Sequence, residues 1–151
     1  MKIGVRYPFV YAALFFWLGV LLSISFLEAP LKFQVEGMTL PVAVKLGKLM
    51  FNVSTYIQMG LAIGIGLNFM FLKKELTKSL LCIYGLLVLL LCLQKFWMLP
   101  ILNDQVDWVD HHKTFESGSL HTYFIYAEVI KCILILMCII LQIKRIKPEV
   151  I

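Results

Sequence analysis

The sequence predicts an all-α integral membrane protein, a bundle of four transmembrane helices with both termini in the cytoplasm. Composition is the first observation: 61% of the 151 residues are hydrophobic, against roughly 45–50% in soluble domains. The second is a set of four apolar runs, each long enough to cross a bilayer: Pro8–Ala29, Val42–Leu72, Ser79–Leu99 and Gly118–Ile143. The third is the uneven distribution of basic residues between the predicted connections. Residues 1–151 are therefore expected to form one membrane domain.

The first run is expected to be a retained span rather than a cleaved signal. An A-x-A-like cleavage site is missing, because SFLEAP places a proline directly after Ala29. In the connection that follows, Leu31, Phe33 and Val35 alternate with polar residues. This alternation favours an extended segment along the membrane surface, with a simple connector as the alternative.

The second run carries a polar face and a glycine pair. Lys45, Lys48, Asn52 and Thr55 follow one another at steps of three or four residues, which places them on one side of a helix. Because such a face is costly in lipid, it is expected to point into the bundle. Further along, Gly60 and Gly64 form a small-xxx-small pair that predicts a close approach between helices.

The other three runs also carry polar residues toward the same side of the bilayer. Ser25 and Glu28 end the first run, and Gln94 and Lys95 end the third. The fourth opens with His121 and continues to Glu128 on the same face, with Lys131 one turn further. Glu128 is expected to pair with Lys131, or with a lysine of another span such as Lys48 or Lys95.

A lone charge at the bilayer centre costs about 2.5–3.5 kcal/mol on insertion scales, so such residues usually face the bundle interior and mark functional sites. The predicted shape is a polar outer pocket above an apolar inner half. The alternative is an ion-pair network that only fixes helix register. The candidates for binding a ligand or a proton are Glu28, Lys48, Asn52, Lys95, His121, Glu128 and Lys131.

Basic residues collect on one side of the predicted bundle, in the terminal segments and in the connection between the second and third runs. They are Lys2, Arg6, Lys73, Lys74, Lys78, Lys144, Arg145 and Lys147. The connection between the third and fourth runs has four acidic residues and one lysine. By the positive-inside rule, both termini and the middle connection are cytoplasmic. The pI of about 9.1 reflects these basic residues. Because they lie at span ends, where they can contact anionic lipid, no nucleic-acid partner is predicted.

The residue types that bind metals and cofactors do not form a recognised site. His121 is the only histidine within a predicted span, so a haem held by two histidines is not expected. The acidic connection, with Asp104, Asp110 and His112, fits no standard zinc or calcium spacing. The four cysteines lie in the apolar runs without a C-x-x-C pair and are expected to be small buried hydrophobes. No cofactor, metal or catalytic residue is predicted.

Four blocks of the sequence resemble those of small four-span bacterial membrane proteins that have no assigned activity. The blocks are SFLEAPLKF, GKLMF, KFWMLPIL and LHTYFIYAEVIK. The resemblance implies a location in the bacterial inner membrane. It also implies a shared polar cluster near the outer face, centred on Glu28, Lys48, His121, Glu128 and Lys131.

Three functions fit these observations. The first is a non-enzymatic protein whose outer-facing pocket binds a small polar or amphiphilic ligand, or accepts a proton. The second is an accessory or assembly protein whose buried charges serve packing and contacts with a partner membrane protein. The third is a membrane enzyme that acts on a lipid or isoprenoid with Glu128 and His121 as acid and base. Because no activated nucleophile accompanies them, the sequence favours a non-enzymatic protein; the oligomeric state stays open.

The topology can be tested with reporter fusions. Fusions after Lys78 and at the C-terminus are expected to be cytoplasmic, and fusions near Gly37 and Asp110 to be external, because the basic segments stay inside. Alkaline phosphatase reports the external positions and a fluorescent protein the cytoplasmic ones. A cytoplasmic Asp110 would overturn the four-span arrangement.

Overall fold

The computed structural model of the chain describes residues 2–71, 76–112 and 119–146, with side chains described for 4–71, 76–106 and 120–143. The described part is helical except for one pair of short strands. The helices are α1 (Pro8–Leu21), α2 (Ala29–Leu31), α3 (Leu40–Phe71), α4 (Lys78–Leu93), α5 (Leu99–His112) and α6 (Ser119–Gln142). A first π segment (Leu22–Glu28) joins α1 to α2, and a second (Gln94–Met98) joins α4 to α5.

Within the described residues, four helical stretches are long and apolar enough to cross a membrane, which agrees with the predicted number. We refer to them as spans one to four, and they cover Pro8–Gln34, Leu40–Phe71, Lys78–Val106 and Leu120–Gln142. Spans one and three extend well beyond the predicted ends at Ala29 and Leu99. In particular, the predicted connection after Leu99 begins with the helix α5, which ends only at His112.

Two prolines account for these longer helices and for the π segments. Pro30 and Pro100 each follow a π segment by two residues. A proline inside a helix lacks the N–H donor, and its ring clashes with the carbonyl four residues earlier. A π-turn widens the helix at that point, as in the bond from the Leu99 N–H to the Gln94 carbonyl. The helix therefore continues past the proline instead of ending there.

The connection after span one also differs from prediction. Leu31 ends the short helix α2, and Lys32–Gln34 form a 3₁₀ turn, so most of the alternating segment is helical. The prediction of an extended segment was wrong for these residues. The alternation misled because Lys32 is buried in the structure, at 7% exposure, while Leu31, Phe33 and Val35 are exposed.

The two termini meet in a strand pair that the sequence did not predict. Strand β1 (Lys2–Val5) pairs antiparallel with β2 (Ile143–Ile146), with Lys2 opposite Ile146. The Arg6 N–H continues the contact by donating to the Gln142 carbonyl at 3.0 Å. Both chain ends therefore lie at one end of the bundle, here called the terminal end. The opposite end, where spans one and two and spans three and four connect, is the distal end.

The terminal half of the bundle is packed mainly with apolar side chains, although Gln142 is also fully buried there. Val10, Leu14, Trp17 and Leu21 recur at helical spacing along α1, and each is fully buried. They pack with buried residues of the other spans: Ile65, Leu80, Leu87, Leu91 and Ile135. The outward faces are apolar too, with Phe16, Leu89 and Ile140 more than 60% exposed. Helices that are apolar on all sides are those expected in lipid.

The glycine pair does not have its predicted role. A Cβ added to Gly60 would meet nothing within 4 Å, and one added to Gly64 would only touch the Phe9 ring at 3.9 Å. Gly60 lies on the exposed face of α3. The predicted close helix approach at this pair is therefore wrong within the described chain.

Candidate functional site

A buried ion pair lies near the middle of span four. The Lys131 Nζ is 2.7 Å from the Glu128 Oε1, and the two side chains are 1% and 4% exposed. Glu128 precedes Lys131 by three residues, which places both on one face of α6. Of the partners considered from the sequence, the structure selects Lys131.

Each of the other three spans contributes a polar contact to this pair. From the first π segment, the Ser25 hydroxyl donates to the Glu128 Oε2 at 2.9 Å. From the second, the Gln94 amide donates to the Glu128 Oε1 at 2.9 Å. From α3, the Gln58 Oε1 accepts a hydrogen bond from the Lys131 Nζ at 2.7 Å. The two charges are therefore paired and hydrogen-bonded, which is the condition for burying them at acceptable cost.

Gln58 is held in place by two further side chains. The Trp17 indole N–H donates to the Gln58 Oε1 at 3.1 Å, and the Gln58 amide donates to the Ser54 hydroxyl at 3.0 Å. These contacts fix the amide with its oxygen toward Lys131. Beyond Trp17 the apolar core begins, so the polar network ends there.

The π segments supply the two uncharged hydrogen-bond donors to Glu128. Ser25 lies within the first and Gln94 opens the second. Short π-helical stretches occur often at functional sites, where they reposition side chains. Here each π segment precedes a proline, and its polar residue, Ser25 or Gln94, lies opposite Glu128.

A cavity of about 390 Å³ lies on the distal side of the ion pair. All four spans line it, and most of the lining is apolar, including Phe26, Val44, Phe51 and Phe124. The polar residues in its wall are Ser25, Lys32, Lys48, Asn103, Gln105, His121 and Glu128. An apolar chamber with a few convergent polar groups is the usual form of a small-molecule site.

Lys32 is the most enclosed cation of the cavity wall. Its Nζ is 3.6 Å from the Glu28 Oε1 and 5.6 Å from the ring centres of Phe33 and Phe51. A Cβ on Gly47 would lie 2.5 Å from this Nζ, so the missing side chain of Gly47 provides the space for the ammonium. The cluster of Lys32, Glu28, Phe33, Phe51 and Gly47 is here called the Lys32 cradle.

The predicted site residues are distributed over three places. Lys48, His121 and Glu128 line the cavity, with Lys131 directly behind Glu128. Glu28 belongs to the Lys32 cradle and does not line the cavity.

Asn52 and Lys95 lie away from the ion pair. The Asn52 amide donates to the Asn103 Oδ1 at 3.2 Å and to the Lys48 carbonyl, which joins α3 to α5. The Lys95 ammonium lies 3.8 Å from the centre of the Tyr56 ring, in a cation–π contact. Lys95 is therefore not part of the polar network around Glu128.

Sequence reasoning missed Lys32, Gln58 and Trp17. A signal for Gln58 was present, because it follows Thr55 by three residues and so continues the polar face of span two. Lys32 was assigned to a surface segment and could only be recognised once the connection was known to be helical. Nothing in the sequence pattern indicated that Trp17 would join the polar network. The only general reason to expect it is that a buried indole N–H usually finds a hydrogen-bond acceptor.

Among the residues whose side chains the structure describes, no three His, Cys, Asp or Glu come together as metal ligands. Asp110 and His112 of the acidic connection are outside that set. The chain matches no protein-family model, no curated protein and no solved structure. Its function is therefore inferred from the chemistry of the cavity and the ion pair.

Removing one member of the ion pair should destabilise the fold. Lys131→Met leaves the Glu128 carboxylate buried without its cation, which is expected to cost about 3–5 kcal/mol. The double variant Glu128→Gln with Lys131→Met should regain most of this loss, because glutamine still accepts bonds from Ser25 or Gln94. The measurement is thermal or denaturant unfolding in detergent. Lys95→Met is the control and should cost about 1 kcal/mol or less; a Lys131→Met protein as stable as wild type would show that the pair is not structural.

Proposed function

We propose that this protein is a multi-pass protein of the bacterial inner membrane, with both termini cytoplasmic and with a pocket open toward the outer side that binds a small amphiphilic ligand. Four apolar helical stretches support the membrane location. The charge distribution of the connections supports the orientation. The bacterial membrane follows from the sequence resemblance alone.

The cavity is the observation that carries the proposal. Its volume of about 390 Å³ falls in the range of small-molecule sites. Apolar side chains from all four spans make most of its wall, and the lysines, His121 and Glu128 supply a few polar contacts. A ligand with both an apolar and a polar part matches that wall better than a purely polar solute.

In this proposal the Glu128–Lys131 pair is the floor of the pocket rather than its reactive group. Both Glu128 oxygens accept hydrogen bonds from side chains, and one also contacts Lys131. A general base must lie within hydrogen-bond reach of the proton that it abstracts, and the Glu128 oxygens are already occupied by these contacts, which is unfavourable to an enzyme that would use Glu128 and His121.

An accessory or assembly role is the second candidate. The observation that favours it is that Glu128, Lys131 and Gln58 are hydrogen-bonded to one another and to Ser25 and Gln94. A purely structural network would have this form. The cavity distinguishes the two roles, because an assembly protein does not need a small molecule within it.

Filling the cavity should abolish ligand binding. Val44 lines the cavity from α3, and Val44→Phe adds a ring to its interior. Val42, two residues earlier, is 53% exposed and faces away, so Val42→Phe is the matched control. Native mass spectrometry of protein extracted from its own membranes should show a bound small molecule on wild type and Val42→Phe, and little on Val44→Phe. Absence of any adduct on wild type, or equal adducts on both variants, would favour the assembly role.

A further inference from the structure

The Lys32 ammonium is incompletely satisfied for a group buried so deeply. The residue is 7% exposed, yet its Nζ has no hydrogen bond with any described residue. Its carboxylate neighbour Glu28 is 3.6 Å away, beyond hydrogen-bond distance, and neither Glu28 oxygen has a hydrogen-bond partner within the described chain. The two Glu28 oxygens are buried without a partner, whereas the Lys32 Nζ is not among the fully buried unpartnered atoms and Lys32 lines the cavity. The cradle therefore has the form of a site that is completed by something else.

The cradle directs the ammonium toward the cavity. Gly47 leaves the space in which the Nζ lies, and the rings of Phe33 and Phe51 flank the cation. Aromatic rings at this distance stabilise a cation without using its N–H donors. Lys32 also lines the cavity, so these donors are available to a molecule inside it.

The charges of the cavity wall favour an anion. Lys32 and Lys48 both line it, with His121 as a third nitrogen-bearing side chain. The one described carboxylate in the lining is Glu128, and Lys131 neutralises it at 2.7 Å. The Glu28 carboxylate lies outside the lining. On the cavity side a negatively charged group would thus meet Lys48 and the Lys32 ammonium, which is 3.6 Å from Glu28, and no uncompensated acid among the described lining residues.

We propose that the cavity binds a single-chain anionic amphiphile of the fatty-acid class, with its carboxylate on the Lys32 ammonium and its chain along the apolar wall. This inference rests on the proposed function and names the ligand class of the same pocket. A carboxylate accepts the N–H donors of Lys32 in charge-assisted hydrogen bonds. The volume of about 390 Å³ lies near the lower end of the range for ligand sites, which suits one acyl chain rather than a two-chain phospholipid.

The inference can be tested with a pair of probes that differ only in charge. Wild-type protein in phosphatidylcholine nanodiscs is titrated with cis-parinaric acid and with its methyl ester, whose polyene fluorescence rises on entering an apolar site; empty nanodiscs give the background. The acid is expected to bind about tenfold or more tightly than the ester, since a charged hydrogen bond contributes about 1.5–3 kcal/mol. In Lys32→Met the acid should bind no better than the ester, while ester binding stays as in wild type.

Three further variants separate loss of the site from loss of folding. Lys45→Met removes a lysine from the same helix end as Lys48, but Lys45 does not line the cavity, so preference for the acid should persist. Gly47→Ala retains every charge and displaces the Lys32 ammonium, a flexible chain end that can move at little cost. It should weaken acid binding selectively. Glu28→Gln with Lys32→Met removes both charges of the cradle and provides a neutral background if Lys32→Met alone misfolds; it too should lose the acid preference.

Each outcome decides one of the two proposals. Equal affinity of wild type for the acid and the ester overturns the inference and leaves an uncharged amphiphile as the ligand of the proposed function. An acid preference that survives in both Lys32→Met and Gly47→Ala also overturns it. Failure of wild type to bind either probe overturns the inference and, together with a native mass spectrum free of bound small molecules, the proposed function as well.

Discussion

The contact between Glu128 and Lys131 is the constraint on which the remaining structure depends. Two charges at 1% and 4% exposure are tolerable in an apolar bundle only if they neutralise each other and their other polar atoms are satisfied. One helix cannot supply all of those partners. Ser25, Gln58 and Gln94 come from the three other spans, so the depth and rotation of each span are fixed by its contact with the pair. A shift of any span by one residue would leave a buried donor or acceptor without a partner, at a cost of about 1–3 kcal/mol.

The pair also divides the bundle into two structurally different halves. On the terminal side, Trp17 closes the polar network around Lys131, and fully buried leucines and isoleucines make most of the core. On the distal side, the helices leave a cavity of about 390 Å³. Pro30 and Pro100 contribute to this difference, because each is accommodated by a π segment at the level where the bundle opens. The ion pair thus lies between a packed core and a cavity. Because the core is filled with side chains, this arrangement argues against a continuous pore through the protein.

The sequence predicted the number of apolar spans and included Lys131 among the possible partners of Glu128, because both depend on local patterns. Four apolar runs are visible by composition, and Glu128 and Lys131 lie three residues apart on one helix. The Lys32 cradle could not be predicted in the same way, since it depends on Gly47 and Phe51 from another span. The π segments were also missed: a proline after an apolar run usually indicates a helix end, and only the structure shows that both helices continue. The strand pair joins residues near opposite ends of the sequence. Hydrophobic periodicity reports only on neighbouring residues, so it could not predict this pairing.

The central claim is that Glu128 is an ionised carboxylate held by Lys131 and by the other three spans. Infrared difference spectroscopy tests it most directly, comparing wild type with the double variant Glu128→Gln and Lys131→Met, which retains an uncharged form of the network. We expect the difference spectrum to contain the carboxylate stretching bands of one ionised side chain and no band of a protonated acid. A difference dominated by the carbonyl stretch of a carboxylic acid would show that Glu128 is neutral, and would contradict the ion pair as the basis of the bundle.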